Sequence, residues 1–328
     1  MIDELVRSTG ATDAFEAIRL KARELTSLFV ATFGDPETPI DVDVLASLRG
    51  IQRSSEPPVL SEDAELVPDG VGGVQMRVNP DRPETRQRFS IAHEISHTFF
   101  PEYSSKSWCR TDARYRDRQN PEELLEMLCD VGAAELLFPL PWFGSDAAKV
   151  KSGNELMKLA ARYNASRDAT IRRLAEVSVE PIAAVFFSWK LKPTQKPTIG
   201  NRSQSNLFGE SADERIRDAM KLRIEYTITS SAFRTAGHFL PNDKSVPNEG
   251  PVYQAALTGI PTDGEYHFDF GQASGKYMVW AIPLWTSNEQ LGAKGENAVA
   301  ALLTPLSVQR PRNMRRESGK GRSLFGDC

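Results

Sequence analysis

Apolar residues recur at helical spacing over 13–34, where Phe15, Ile18, Ala22, Leu25 and Phe29 share one face and Gly34 suits a stop. Two short β-like pieces follow, around Glu65–Pro68 and Val74–Val78, separated by the turn-forming run Asp-Gly-Val-Gly-Gly at 69–73. Pro83 then opens a helical pattern, ETRQRFSIAHEISHTFF, that Pro101 ends. Residues 102–120 are polar and irregular, with basic and aromatic residues interleaved. A helix start follows at Asn120, with Pro121 at the first helical position and Glu123 placed as in a capping box; the helix runs on to Pro139.

Between 154 and 177 the pattern reads helix, short turn, helix. Leu156, Leu159, Ala160 and Tyr163 line the first helix, and Ser166 caps a second carrying Ala169, Ile171, Leu174 and Ala175. After an apolar β-like run at 182–187 comes a breaker-rich polar stretch, KLKPTQKPTIGNRSQSN, of linker texture. From about 215 the texture changes to β-like runs beginning at Leu222, Tyr266, Lys276 and Ala298, split by Gly, Pro and Asn. The basic tail at 309–328 reads as disordered.

These patterns predict an α+β, multi-domain chain. The boundaries they suggest are 1–144, a mostly helical unit with a small sheet; 145–190, a helix-turn-helix unit; 191–214, a linker; 215–308, an α/β domain; and 309–328, the tail. At 328 residues the chain is long enough for more than one core. A net charge of −4 argues against a strong general affinity for nucleic acid. The acidic amino terminus is unlike a secretory signal, and the longest apolar runs are too short to span a bilayer. Three cysteines make no disulfide framework and suggest a reducing, cytoplasmic setting.

Two of the four histidines, His93 and His97, fall one helical turn apart in His-Glu-Ile-Ser-His. Positions i and i+4 share a helix face, so both imidazoles reach one ion. Glu94 lies about 100° round the helix, unsuited as a ligand of that pair but placed to take a proton from an attacking water. Nitrogen and carboxylate ligands in an open tetrahedral site suit Zn2+. Phe89, Ala92, Ile95, Phe99 and Phe100 supply apolar packing that a solvent-exposed coincidence of two histidines would not need.

A catalytic site of this kind needs a third protein ligand. Phe100 and Tyr103 stand where a metzincin would have its glycine and third histidine. The alternatives are Glu122, Glu123 and Glu126 on the next helix. Capping and the helix dipole already explain the first two, whereas Glu126 has no such local role. Asp130, one turn on and followed by the small Ala133 and Ala134, a face that lets another helix approach closely, is placed to accept the free ring N–H of a liganding histidine. Tyr103, Arg114, Tyr115 and Arg116 are candidates for stabilising an oxyanion, each set against an ordinary role on a solvent-facing loop.

The pattern Phe89-x-x-Ala-His-Glu-x-x-His, followed by EMLCDVGAAELLFPL from Glu126, resembles the ImmA/IrrE family of zinc metallopeptidases. The resemblance implies a gluzincin-like protease domain with His93, His97 and Glu126 as zinc ligands and Glu94 as general base. Leu128-Cys129-Asp130 departs from the Glu-Ala-Asn common in the family. The three-part layout is similar to family members that join a protease domain, a helix-turn-helix and a GAF-like domain. It implies a site-specific endopeptidase that cleaves a helix-turn-helix repressor to release a stress response such as that to DNA damage. A small-molecule ligand for the GAF-like domain is implied in the same way.

Two competing readings remain from the residues. One is a DNA-binding or sensor regulator with a vestigial metal site; the other is a peptidase paired with a toxin or phage-type repressor. Residues 148–178 hold seven basic side chains against three acidic ones, a net +4 that suits either DNA contact or a packing unit. With the chain acidic as a whole, weak or no direct nucleic-acid binding is expected. Cys129 reads as a buried structural cysteine, with redox or metal sensing as the alternative.

Overall fold

The computed structural model describes residues 1–58, 62–70, 72–101, 103–105, 108–109, 119–195, 219–270, 274–284 and 297–306. Three helices lead: α1 (Ile2–Thr9), α2 (Ala14–Phe33) and α3 (Val42–Leu48). Helix α2 begins where the Asp13 carboxylate accepts from the Glu16 N–H, and ends at Gly34 with φ 85°. Of the face predicted from spacing, Ile18, Ala22, Leu25 and Phe29 are buried and Phe15 packs partly buried against the same core; Ala17 is buried with them.

A small sheet follows in the order β1-β3-β2-β4, from β1 (Gln52–Arg53), β2 (Ala64–Pro68), β3 (Val74–Val78) and β4 (Trp108–Cys109). Strands β2 and β3 pair antiparallel with Leu66 opposite Met76. Gly70 and Gly72 both take positive φ in the turn between them, a conformation disfavoured for residues with a Cβ. The alternation Val74, Met76, Val78 buries one face of β3 against α4 (Glu84–His97).

Helix α4 stops at His97, short of the end its apolar tail predicted. Thr98 turns its hydroxyl back onto the Ile95 carbonyl at 2.6 Å, and Arg49 holds the Thr98 carbonyl at 2.6 Å. Local side-chain hydrogen bonds of this kind compete with continued helix. Helix α5 (Pro121–Leu137) starts at Asn120, as predicted, but the cap is not the reciprocal box. Asn120 accepts from the Glu122 N–H, and its side-chain amide donates to Glu123 Oε1 at 3.1 Å.

Helix α6 (Leu140–Ala147) leads to the predicted pair α7 (Gly153–Arg162) and α8 (Arg167–Val177), each begun by a serine cap. Beyond them stands a fully antiparallel sheet in the order β6-β5-β9-β8-β7. Its strands are β5 (Ala183–Lys190), β6 (Lys221–Thr229), β7 (Thr262–Phe268), β8 (Gly275–Pro283) and β9 (Asn297–Pro305). Helices α9 (Ser231–Thr235) and α10 (Gly250–Thr258) complete the described elements.

The sheet separates two apolar layers. Ala184, Phe186, Ile282, Ala300 and Leu302 join the core that contains α2, α4, α5 and α8. Ala183, Val185, Phe187, Val279, Ala301 and Leu303 face the other way, against Phe233 of α9 and Val252 and Ala255 of α10. Successive residues of β5 are therefore buried on both faces, which is why 182–187 reads as unbroken apolar sequence. Strand β5, grouped by the sequence reading with the helix-turn-helix unit ending at 190, is instead an internal strand of this sheet, bonded to both β6 and β9. The mixed helix-and-sheet architecture is α+β. Most of the predicted linker and the whole of the tail lie outside the described residues.

Candidate metal centre

Helix α4 is buried from Ser90 to His97 and packs along α5. The approach is close because Gly132 of α5 carries no side chain. A Cβ there would stand 2.5 Å from Ser96 Oγ, 2.9 Å from Ser96 Cβ and 3.2 Å from Ile18 Cγ1. Sequence reasoning looked for close packing at Ala133 and Ala134 and passed over this glycine. Its signal was an unexplained glycine inside a helix, a position that ordinarily costs about 1 kcal/mol.

The close packing brings the side chains of two helices to one point. His93 Nε2 lies 3.3 Å from Glu126 Oε2, and His97 Nε2 lies 3.4 Å from Glu126 Oε1. Both imidazoles are fully buried, and the Glu126 side chain is 13% exposed, so the cluster has one edge toward solvent. On its other nitrogen, His93 Nδ1 meets Asp130 Oδ1 at 2.9 Å. His97 Nδ1 meets the sulfur of the fully buried Cys129 at 3.4 Å. Glu94, also fully buried, occupies the helical turn between the two histidines.

Burial alone would push the His93 imidazole down. The hydrogen bond to Asp130, the nearby Glu126 carboxylate and the charges of Asp130 and Glu94 outweigh it and lift the group to about 9. Without a metal, then, these acids hold a proton on His93 at neutral pH. A metal ion would replace that proton as the positive charge at the centre.

The donor set fits such an ion. Separations of 3.3 and 3.4 Å exceed an ordinary N–H···O bond, and the buried His93 Nε2 lies outside hydrogen-bond geometry with its neighbour. They match the edge, about 3.3 Å, of a tetrahedron whose ligands stand about 2.0–2.1 Å from zinc. His93, His97 and Cys129 form a second grouping, with ligand atoms within 4.8 Å of one another. The sulfur there faces Nδ1 of His97, the nitrogen opposite the one turned to Glu126. Because both Nε2 atoms converge on the carboxylate, the Glu126 set is the better-formed tripod.

Residues 61–175 match the family model described as the IrrE N-terminal-like domain. The chain is 26% identical over 278 residues to the radiation response metalloprotease IrrE of Deinococcus radiodurans, covering 84% of this chain and 77% of that protein. Residues 61–175 thus resemble the protease domain of the ImmA/IrrE family of metallopeptidases. It is also 36% identical over 102 residues to the radiation response metalloprotease IrrE of Deinococcus deserti, a match to 31% of this chain and 35% of that one. A Mycobacterium tuberculosis transcriptional regulator of known structure shares the fold at TM-score 0.50 and 15% identity, over 88% of this chain and 75% of that chain. Similarity to metalloproteases points to a metal, and α4 and α5, which bring His93, His97 and Glu126 together, fall inside the matched segment.

The remaining predicted groups are placed differently. Tyr103, in the short 3-10 turn Tyr103–Ser105, packs partly buried against the core. Arg114, Tyr115 and Arg116 lie outside the described residues. His267 sits in β7 paired with Lys276, and His238 packs on Phe233 and Tyr277 in the second core, so neither reaches the cluster. In the helix pair, much of the basic charge is engaged within the fold. Arg162 pairs with Asp146, Arg167 donates to the Pro283 carbonyl, Arg172 pairs with Asp168 and sets its guanidinium 4.8 and 4.7 Å from the centroids of the mutually stacked Phe186 and Tyr226 rings, and Arg173 pairs with Glu135.

Proposed function

We propose that this chain is a site-specific zinc endopeptidase that cleaves a helix-turn-helix transcriptional repressor and so switches on a stress response. The observation that carries the peptidase chemistry is the convergence of two buried imidazole Nε2 atoms on one carboxylate, with Glu94 buried in the turn between them. His93, His97 and Glu126 would hold the zinc. The bound ion would supply a Lewis acid and lower the pKa of water to about 7.

Every other part of the mechanism falls to the chain's own groups. Asp130 holds His93 through Nδ1 and turns Nε2 inward. Glu94 takes the proton of the attacking water on a carboxylate oxygen and passes it to the nitrogen of the leaving amine. Dry helix packing around the cluster strengthens these charge interactions. The α7–α8 pair serves as a packing unit rather than a DNA reader, a reading supported by the ion-paired state of its arginines.

The stress-response role is supported by the similarity to proteins named radiation response metalloproteases. The repressor substrate rests on the family resemblance. The antiparallel sheet with α9 and α10 on its outer face would form the GAF-like sensor, taking a small-molecule ligand. No helix among the described residues is long and apolar enough to cross a membrane, and a cytoplasmic location is part of this proposal.

The test incubates purified protein, with zinc and with a chelator, against helix-turn-helix repressors encoded beside it. Cleavage of one repressor at a single bond, abolished by chelation, is the expected result. If every such repressor survives while zinc is bound, the proposed substrate is wrong.

A further inference from the structure

The two histidines of the cluster are held by different partners. His93 leans on a carboxylate that is 36% exposed, whereas His97 leans on a fully buried sulfur. Cys129 sits on the buried side of α5 beside Leu125 and Leu128, where an ionised carboxylate would carry a large desolvation cost. A sulfur atom accepts an N–H weakly but is at home among apolar side chains. The contact to His97 Nδ1, at 3.4 Å, lies on the far side of the ring from the 3.4 Å approach of Nε2 to Glu126.

An imidazole that binds a metal through Nε2 must carry its hydrogen on Nδ1, and whatever accepts that hydrogen sets the ring's tautomer and orientation. We infer that Cys129 is a positioning residue for His97, its sulfur accepting the Nδ1 hydrogen and so aiming Nε2 at the metal. Cys129 is then not itself a ligand, although its sulfur lies within 4.8 Å of the ligand atoms of both histidines. The inference rests on the proposed Glu126 tripod. It also assigns a task to the cysteine at which this chain departs from the Glu-Ala-Asn of the family it resembles.

The test uses the full chain loaded with cobalt(II), whose spectrum reports sulfur ligation, together with chelator competition for affinity. Wild-type protein is expected to bind cobalt without a thiolate-to-cobalt charge-transfer band in the near ultraviolet. Cys129→Ala and Cys129→Val, which remove the acceptor with and without leaving a void, are both expected to weaken binding about 10–100-fold. Cys129→Ser, which restores an acceptor, is expected to recover affinity to within a few-fold of wild type. Melting of the metal-free variants separates a folding defect from a metal defect.

A charge-transfer band in wild type would make Cys129 a ligand and overturn the inference. So would alanine and valine variants that bind like wild type, or a serine variant as weak as alanine. Failure of the wild type to bind any metal would instead overturn the peptidase proposal on which this inference stands.

Discussion

At the residue scale, the roles assigned to neighbouring side chains on α4 separate cleanly. Glu94 is proposed to move a proton and not to hold the ion. Glu94→Gln should therefore bind zinc with little change while cleaving about 100–10,000-fold more slowly, read by chelator competition and by peptide hydrolysis. A variant that binds zinc yet cleaves at the wild-type rate would remove Glu94 from the mechanism. His93 gives a pH prediction whose sign follows from a group raised above its ordinary value of 6.5 to about 9. In metal-free protein its ion pairs with Asp130 and Glu126 stabilise the fold fully below about pH 6.5, and that contribution fades as pH rises through 9. Thermal melts of chelated protein should lose stability over that interval, and His93→Gln should flatten the loss. For the same reason, zinc added near pH 7 should release a proton into solution, measurable in weakly buffered titrations.

At the element scale, the cluster exists because α4 and α5 lie close enough for two imidazoles to share a carboxylate. Gly132 permits that approach. Alanine would gain about 1 kcal/mol of helix propensity, but its Cβ would stand 2.9 Å from Ser96 Cβ, an atom that cannot rotate away. Overpacking of this kind costs about 1–3 kcal/mol, so Gly132→Ala should be net destabilising, seen as a lower denaturation midpoint. It should also weaken zinc binding, since the two helices must part. A stabilised variant with unchanged metal affinity would show that the contact relaxes freely. The helices themselves were legible from sequence: the cap at Asn120, the stop at Gly34 and the apolar faces are all local signals. Their contact was not, because a glycine in a helix does not say which neighbour it admits.

At the scale of the whole molecule, one buried charge ties three parts together. Glu135, 1% exposed, accepts from Arg173 of α8 at 2.6 Å and from Arg23 of α2 at 2.8 Å. Helix α5 is thereby clamped at one end to the helix pair, while Glu126 lies nearer its other end and Asp130 near its middle. Arg173 is itself 4% exposed, so Arg173→Met should leave a buried carboxylate short of a partner and destabilise the fold by about 3–5 kcal/mol in urea melts. Replacing Glu135 and Arg173 together with methionine should cost less than the single change, because no buried charge is then left unmatched, Arg23 being 47% exposed. If the double variant is the less stable one, the pair contributes more than mutual neutralisation. The same helix pair buries Ile171 and Leu174 in the core shared with α4 and α5 and with one face of the large sheet. The unit that looked separable in sequence is a layer between two others.

By itself the sequence determined the features that depend on neighbours along the chain. These are the helical turn that sets His93 and His97 on one face, the cap that starts α5, the glycine turn between β2 and β3, and the β-like runs of the later strands. It favoured Glu126 as the candidate third ligand, because Glu122 and Glu123 are already explained by capping and the helix dipole. Only the tertiary structure decided which side chains meet across elements: Ser96 on Gly132, Cys129 behind His97, Glu135 between two arginines, and β5 inside the carboxyl-terminal sheet. The physical reason is range. Backbone propensity and capping act within a turn or two, whereas a metal cluster requires donor atoms from distant segments to converge within a few ångströms, and packing alone fixes that distance.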